Sequence, residues 1–442
     1  MRGGRRVAGA LLGAALAVAV ASGARADDEG EADAHAADAS AMAEGARPDA
    51  GDAEEATDDE AEATPATYDL RVDARIVATE RTAHVRLSLG DGSGAVEKVV
   101  FRIDPERHLD FKGNGTVEVN GDEVAWTPPR SGGSLRYRFR IEHLRNPRTY
   151  DAWCTRKWAL FRGDDLVPPA SVTTKGRETS ETRLRLRLPE GWAAATPYAQ
   201  TATGEYVVDN PLRRFDRPTG WIAIGDLGVL REDILGMKVA IAAPRSQHMR
   251  RNDILALLHW AAPSLRDLLG ELPPRYLIVG AGDPMWRGGL SGPGSAYLHS
   301  DRPLISADGT SPVLHEVLHS TLAARADAAH QWLVEGLVEY YSVVLLHRSG
   351  TISESRYEAT LARHRTLARR QRRKRELRAS AGMALYARLD AALQERSEGA
   401  HSLDDVAREI ARRRVPLTPD ALAEMAKDVA GVDVADVIAA GE

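Results

Sequence analysis

Apolar and polar side chains alternate along residues 67 to about 230, with the two-residue period of strands that bury one face. Turn signals such as Gly90-Asp91-Gly92 separate these segments. The pattern predicts an antiparallel β-sandwich over residues 67–230. The clearest strands are HVRLSL (84–89), VEKVVFRI (96–103), LRYRFRIEH (135–143), TRLRLRLP (182–189) and GWIAIGDLG (220–228).

The period changes after about residue 231. Residues 252–270 have a helical pattern, 275–280 read as a short strand, and the glycine-rich segment 287–300 reads as an irregular stretch leading into another strand. From Ser311 onward nearly all of the pattern is helical. The sequence therefore predicts an α+β multidomain chain, in which a mostly helical domain with a small sheet occupies residues 231–442.

The N-terminus resembles a secretory signal peptide over residues 1–26. Three arginines precede an alanine-rich apolar run, and a small-x-small site ends at Ala26. A retained anchor is the alternative, but the run is shorter than the roughly 20 residues that span a bilayer. We expect cleavage near Ala26, a periplasmic or secreted protein, and no transmembrane helix in the mature chain.

Residues 27–66 contain 15 Asp and Glu, one Arg, and alanine as almost the only apolar residue. A segment of this composition cannot bury enough apolar surface to offset its ordering entropy, so it is predicted to be a disordered linker. The whole chain carries a net charge of −6. The acidity therefore belongs to this segment, and the rest of the chain is net basic.

The chain has one cysteine, Cys154, which excludes an intramolecular disulfide framework. Its neighbours Trp153 and Trp158 indicate a packed apolar role rather than a catalytic thiol.

A basic run, RHRTLARRQRRKREL, covers residues 363–377 on a helical pattern. A solvated helical face is one interpretation. Contact with an anionic envelope surface, or with the chain's own acidic segment, is another. Because the protein is expected to be exported, nucleic acid is not an expected partner.

The segment LHEVLH (314–319) carries candidate metal chemistry. Ser311 and Pro312 form a helix-start signature. On the helix that follows, His315 and His319 lie one turn apart on the same face, where both imidazoles can reach one Zn²⁺. Glu316 can point at the same site without binding the ion, as a general base would.

A catalytic zinc takes three protein ligands, and Asp327, His330 and Glu335 are the downstream candidates. A short reversal near residues 325–329 would place Glu335 on a second helix packed against the first, which favours Glu335. Glu339, one turn further on, is placed to accept a hydrogen bond from a ligand histidine.

Together, these residues match a known sequence pattern. HEVLH followed by WLVEGLVEYY (332–341) resembles the gluzincin metallopeptidases, and within them the glycyl aminopeptidase family without its PDZ domain. Four further blocks carry the resemblance: LLGELPPRYLIVG (268–280), GGLSGPGSAYL (288–298), GMALYARLDAALQERSEGAHSLDDVAREI (382–410) and LTPDALAEMAKDVAGVDVADV (417–437).

The resemblance implies a thermolysin-like catalytic domain that hydrolyses peptide or protein substrates. It assigns Zn²⁺ binding to His315, His319 and Glu335, and the general base to Glu316. The segment LSGPGSAYLHS (290–300) is a candidate edge strand on which an extended peptide could pair through main-chain hydrogen bonds, with substrate binding at Gly288, Gly289, Leu290 and Ser291. A plain glycine-rich turn is the alternative.

Two positions depart from the family pattern. Ser291 stands where the family has a glutamate that holds a free amino group, and Ala379 stands where related enzymes have an oxyanion-binding tyrosine. Tyr386, Tyr340 and Tyr297 are the candidate substitutes, with Tyr386 taken first. The departures keep a second interpretation open, a weak or inactive peptidase relative that acts as an envelope binding protein.

Overall fold

The structure is a computed structural model that describes residues 66–210, 213–370 and 378–440. The predicted signal peptide and all but the last residue of the acidic segment lie outside the described residues, as do residues 371–377 of the basic run. Within the described ranges the chain is a mixed α+β protein, with strands concentrated in its first half and helices in its second.

Sixteen strands precede residue 226 in the described part of the chain, together with a 3-10 turn (Ser93–Ala95) and a short helix α1 (Gly163–Leu166). The strands are β1 (Thr67–Val77), β2 (Thr82–Leu89), β3 (Val96–Arg102), β4 (His108–Gly113), β5 (Thr116–Asn120), β6 (Glu123–Thr127), β7 (Ser134–Arg140), β8 (His143–Asn146), β9 (Thr149–Cys154), β10 (Trp158–Arg162), β11 (Ala170–Thr174), β12 (Thr179–Arg187), β13 (Ala193–Ala195), β14 (Ala199–Gln200), β15 (Tyr206–Val208) and β16 (Trp221–Gly225).

These strands form three sheets around one core. The orders are β14-β15-β12-β1-β2-β7-β4, β13-β16-β10-β9-β8 and β11-β3-β6-β5. Inward residues such as Val72, Phe101 and Ile222 come from different sheets and share one apolar cluster. All pairs are antiparallel except β1 with β12. The expectation of a purely antiparallel arrangement is therefore wrong at this pair, because the long connection between β1 and β12 lets them run in the same direction.

Cys154 belongs to this core and is fully buried. Burial raises the pKa of its thiol to about 12, so the thiolate that a nucleophilic role requires does not form near neutral pH. The prediction of a packed, unreactive cysteine is confirmed.

A fourth sheet links the two halves of the chain. Its strands are β17 (Leu227–Ile234), β18 (Met237–Pro244), β19 (Arg275–Ala281), β20 (Gly289–Gly292) and β21 (Ser295–His299), in the order β17-β18-β19-β21-β20. The predicted domain boundary after residue 230 falls inside β17. The chain changes sheet earlier, near Gly225, whose φ of 132° and lack of a side chain let it pass close to Trp158.

The linking sheet is covered on both faces. On one face Leu277, Val279 and Tyr297 pack against Leu160 and Trp221 of the preceding β region. On the other face, Tyr276 and Ile278 share an apolar cluster with residues of the helices. Because both faces of the linking sheet are packed, strand β20 is held in place at its edge.

The described helices of the second half are α2 (Arg251–Leu269), α3 (Pro312–Leu322), α4 (Gln331–Arg348), α5 (Glu354–Arg370), α6 (Arg378–Arg396), α7 (Leu403–Arg413), α8 (Pro419–Ala430) and α9 (Ala435–Ala439). The predicted helix over 252–270 and strand over 275–280 are confirmed. Across the described ranges, none of the helices combines the length and apolar character that a membrane span requires.

Helices α4 and α6 cross in direct backbone contact at two glycines. A Cβ on Gly336 would lie 2.4 Å from the Cα of Gly382, and a Cβ on Gly382 would lie 2.4 Å from the carbonyl oxygen of Trp332. Only glycine permits this approach, which fixes the rotation of α4 and with it the direction of its polar face.

We predict that Gly336→Ala destabilises the protein by about 1–3 kcal/mol, because the added methyl group forces α4 and α6 apart. Gly176→Ala is the control, since Gly176 is exposed and its nearest contact is the flexible carboxylate of Glu178, which can move aside, and we expect it to change stability by less than about 0.5 kcal/mol. Urea unfolding of both variants measures the difference. Equal stabilities would contradict a tight crossing.

Candidate metal centre

Helix α3 begins as its sequence predicts. The Ser311 hydroxyl oxygen accepts a hydrogen bond from the backbone N–H of Leu314 at 3.3 Å, and Pro312 occupies the first helical position. The same hydroxyl donates to the carbonyl of Leu304 at 2.8 Å. These contacts set the start of α3, and hence the rotation that turns His315 and His319 to one side.

Three potential ligand atoms converge between α3 and α4. The Nε2 atoms of His315 and His319 lie 3.0 Å apart, and Glu335 Oε2 lies 3.6 Å from the first and 3.5 Å from the second. Ligands at the zinc distance of about 2.0–2.1 Å in a tetrahedron stand about 3.3–3.4 Å from one another. The three atoms therefore fit a Zn²⁺ ion, and two nitrogens and a carboxylate form a donor set that zinc commonly takes.

Glu339 determines which nitrogen of His315 is available. Its Oε2 lies 2.8 Å from Nδ1 of His315, where it accepts a hydrogen bond from the ring N–H. The proton on Nδ1 leaves the lone pair on Nε2, the atom that faces His319 and Glu335. Glu339 is therefore placed as predicted.

The electrostatic surroundings of His315 and Glu335 favour positive charge between them. Burial by itself lowers the pKa of His315, but its hydrogen bonds to Glu335 and Glu339 outweigh burial and hold that pKa well above its usual value. Burial likewise raises the pKa of Glu335, but the two histidines outweigh it and hold that pKa well below its usual value. A carboxylate buried here needs positive charge beside it, which protons or a divalent metal can supply.

The two other candidate ligands lie elsewhere. Asp327 Oδ1 accepts hydrogen bonds from the backbone N–H groups of Ala329 and His330, and lies 2.8 Å from the ring nitrogen Nδ1 of His330. This turn reverses the chain between α3 and α4. Asp327 and His330 therefore build the loop, and among the described residues His315, His319 and Glu335 form the group that could hold a metal ion.

Glu316 lies beside the group and against strand β20. Its side chain is 1% exposed, and a Cβ on Gly289 would lie 2.4 Å from its Oε1. Because no other side chain fits at this position, Gly289 is the residue that lets the Glu316 carboxyl approach the edge of the sheet.

The predicted substrate-binding residues lie in and beside β20. Gly289, Leu290 and Ser291 belong to the strand, which pairs antiparallel with β21 and forms the outer edge of its sheet. The indole N–H of Trp221 donates to the carbonyl of Leu290 at 2.8 Å. Gly288 precedes the strand. A Cβ on Gly288 would lie 2.2 Å from Nε1 of Trp286, so only glycine leaves room for the indole ring.

The three candidate tyrosines differ in their surroundings. The Tyr340 hydroxyl donates to Asp390 at 2.8 Å, and the Tyr297 hydroxyl donates to the carbonyl of Trp286 at 2.8 Å. Tyr386 is fully buried in the helical core, and its hydroxyl has no hydrogen-bond partner within the described residues. Two of the three hydroxyls thus have structural partners, and the role of Tyr386 stays a prediction.

Arg302 is a charged neighbour that the sequence did not indicate. Burial lowers the pKa of its guanidinium, and the carboxylates of Glu316, Asp308 and Glu339 oppose that effect. Arg302 therefore adds positive charge near Glu316 and Glu339, which lie beside the His-His-Glu group. It follows β21 in a loop without a motif, so no sequence signal could have identified it.

The His-His-Glu group is one that could hold a metal ion such as Zn²⁺. Residues 315–403 match the family described as M61 glycyl aminopeptidase. The chain therefore resembles a zinc metallopeptidase of that family, which supports a peptidase, and hence a hydrolase, function.

Two solved structures have a similar fold. One is an aminopeptidase N family protein from Idiomarina loihiensis, at 16% identity over 84% of this chain and 75% of that chain, with a TM-score of 0.64. The other is a mutant of an M1 zinc metallopeptidase from Deinococcus radiodurans, at 16% identity over 85% of this chain and 93% of that chain, with a TM-score of 0.53. No curated protein sequence matches the chain.

We predict that Glu335→Ala abolishes stoichiometric zinc binding, because it removes one of three ligand atoms. His330→Ala is the matched control: it removes a side chain from the adjoining turn and should leave one zinc per chain. Elemental analysis after dialysis measures both. Full zinc retention by Glu335→Ala would contradict the ligand assignment.

Glu339→Gln should weaken zinc binding about 10–100-fold, since the neutral amide holds the Nδ1 proton of His315 less strongly. Competition with a chromogenic chelator gives the affinity. An unchanged affinity would show that Glu339 does not control His315.

Proposed function

We propose that this chain is an exported zinc metallopeptidase that hydrolyses peptide bonds, with His315, His319 and Glu335 holding the metal and Glu316 acting as general base. The observation that carries the proposal is the convergence of three ligand atoms beside a buried glutamate at a sheet edge. The match of residues 315–403 to a peptidase family supports it independently.

Zinc, when bound, supplies a Lewis acid that lowers the pKa of water toward about 7 and polarises a carbonyl. Glu316 takes a proton from the attacking water and returns it to the leaving amide nitrogen. Its contact with Gly289 holds the carboxyl beside β20, between the metal group and the proposed path of the substrate. Glu339 keeps His315 in the tautomer that can bind a metal.

The substrate in this proposal is an extended peptide that pairs with the outer edge of β20 through main-chain hydrogen bonds. Gly288, Gly289, Leu290 and Ser291 would lie along it. Ser291 supplies no negative charge for a free amino group, so the proposal does not extend to aminopeptidase specificity. Ala379 supplies no oxyanion donor, a loss that costs on the order of 100-fold or more in turnover in other enzymes.

The proposed architecture is a β-sandwich over residues 67–230 followed by a thermolysin-like domain over 231–442. Three sheets around one core support the first part. The pair α3–α4 beside the edge strand β20 supports the second. Export rests on the sequence of residues 1–26, and contact of the basic run 363–377 with an anionic envelope surface is part of the same proposal.

The second candidate is an envelope binding protein that keeps the fold and has lost efficient catalysis. Ser291 and Ala379 favour it, as does the engagement of two candidate tyrosines in structural hydrogen bonds. The buried Glu316 favours the peptidase, because metal binding alone does not require that carboxyl.

We predict that Glu316→Gln keeps one zinc per chain and lowers peptide cleavage by at least about 100-fold, since the amide cannot accept the water proton. A peptide library analysed by mass spectrometry measures cleavage, with Glu424→Gln, on helix α8, as the matched control. Chelation should abolish wild-type activity, and added zinc should restore it. A zinc-loaded wild type that cleaves nothing would favour the binding protein instead.

A further inference from the structure

The outward face of the seven-stranded sheet is dominated by arginine. Along β1, β2, β7 and β12 the inward residues are apolar, and the outward positions between them are largely basic. The register places five charged residues side by side across five strands. This row consists of Arg185, Asp73, Arg86, Arg136 and Lys112.

A second row runs parallel to the first, two residues along each strand, and consists of Arg187, Arg75, His84 and Arg138. All members of the two rows except Arg185 line a groove of about 840 Å³. We call this surface the basic face and define it by Arg75, Arg86, Lys112, Arg136, Arg138 and Arg187.

The acidic residues near the groove already have partners. Arg187 contacts both carboxylate oxygens of Asp73, at 2.5 and 3.0 Å, and Arg138 lies 2.9 Å from Asp110. Glu80 lies 3.7 Å from His84. The nearby carboxylates therefore pair with Arg187, Arg138 and His84, and the groove as a whole keeps an excess of positive charge.

Arg86, Arg136 and Lys112 occupy that middle as direct cross-strand neighbours. All three are exposed, and none forms a salt bridge with any residue that the structure describes. Like charges in directly opposed positions of a sheet are destabilising. Asp73, which lies opposite Arg86 in the first row, is already paired with Arg187. The three adjacent cations are therefore incompletely neutralised and form a surface suited to an anionic occupant.

We propose that the basic face binds residues 27–66 of the same chain. This segment carries 15 Asp and Glu against one Arg, which complements the face. It runs directly into β1, which begins at Thr67 within the same sheet. The inference is independent of the proposed peptidase function.

The connection favours this occupant over a separate molecule. Forty residues extend up to about 130 Å, whereas five strands span only about 19 Å, so the segment can lie across the whole face. A short covalent link also gives an effective concentration in the millimolar range. A free polyanion would have to compete with that concentration.

The test is zero-length crosslinking of the chain from residue 27 to its end. A carbodiimide activates a carboxylate, and a lysine amine then displaces the urea to form an amide. Lys112 lies in the basic face, Lys374 lies in the basic run 363–377, and Lys98 and Lys157 are exposed lysines outside both. Mass spectrometry of the monomer identifies the lysine that residues 27–66 reach.

We expect crosslinks from residues 27–66 to Lys112 in at least tenfold excess over those to Lys98 and Lys157. Arg86→Gln combined with Arg136→Gln should lower the Lys112 crosslink at least fivefold. The matched control, Arg130→Gln with Arg156→Gln, removes the same charge from exposed positions elsewhere and should leave it unchanged. In the unaltered chain, 0.5 M NaCl should also lower it, because salt screens exposed charges.

Four results would overturn the proposal. Crosslinks mainly to Lys374 would place the segment on the basic run, and no preference among lysines would mean no docking. Crosslinks between isotope-labelled and unlabelled chains would assign the face to a second copy. If inorganic polyphosphate bound the face while residues 27–66 never reached Lys112, the occupant would be an external polyanion.

Discussion

The centre of this structure depends on one electrostatic constraint. Helices α3 and α4 bring two imidazoles and a carboxylate within 3.6 Å of one another. His315 and Glu335 are buried, and burial disfavours the charge on these two groups. Only shared positive charge among them, from protons or from a metal ion, makes the arrangement stable. The Ser311 cap, the Asp327 turn and the hydrogen bond of His315 to Glu339 all maintain that convergence.

Close backbone contacts transmit this constraint to the rest of the fold. Gly336 and Gly382 let α4 and α6 touch, which sets the face that α4 presents to α3. Gly289 lets the Glu316 carboxyl lie against β20. Since the linking sheet packs on the β region through Trp221 and on the helices through Tyr276, the edge strand β20, Glu316 and the His-His-Glu group form one connected unit.

Charge outside the core has a different arrangement. At the metal group, few charges are buried and each has a partner, so their interactions are strong and little screened. On the seven-stranded sheet, many cations are exposed, and three of them have no ion pair among the described residues. The first arrangement favours a single small cation, and the second favours a long flexible anion. The two proposed recognition surfaces of this chain should therefore respond very differently to salt.

The local features could be predicted from the sequence alone. The spacing of His315 and His319, the Ser311–Pro312 helix start, the strand periods and the packed Cys154 are all set within a few residues, where period and side-chain chemistry suffice. The positions of Glu335 and Glu339 could also be predicted. Once a short turn places Glu335 on the second helix, helical periodicity puts Glu339 one turn further along the same face.

The tertiary structure decided what depends on distant partners. It separated Glu335 from Asp327 and His330, brought Arg302 beside Glu316, made β1 and β12 parallel, and placed Leu227–Ile234 in the linking sheet. It also aligned Arg86, Arg136 and Lys112, whose cross-strand register cannot be read from any one strand. Such relations arise from packing between segments far apart in sequence, which local patterns do not encode.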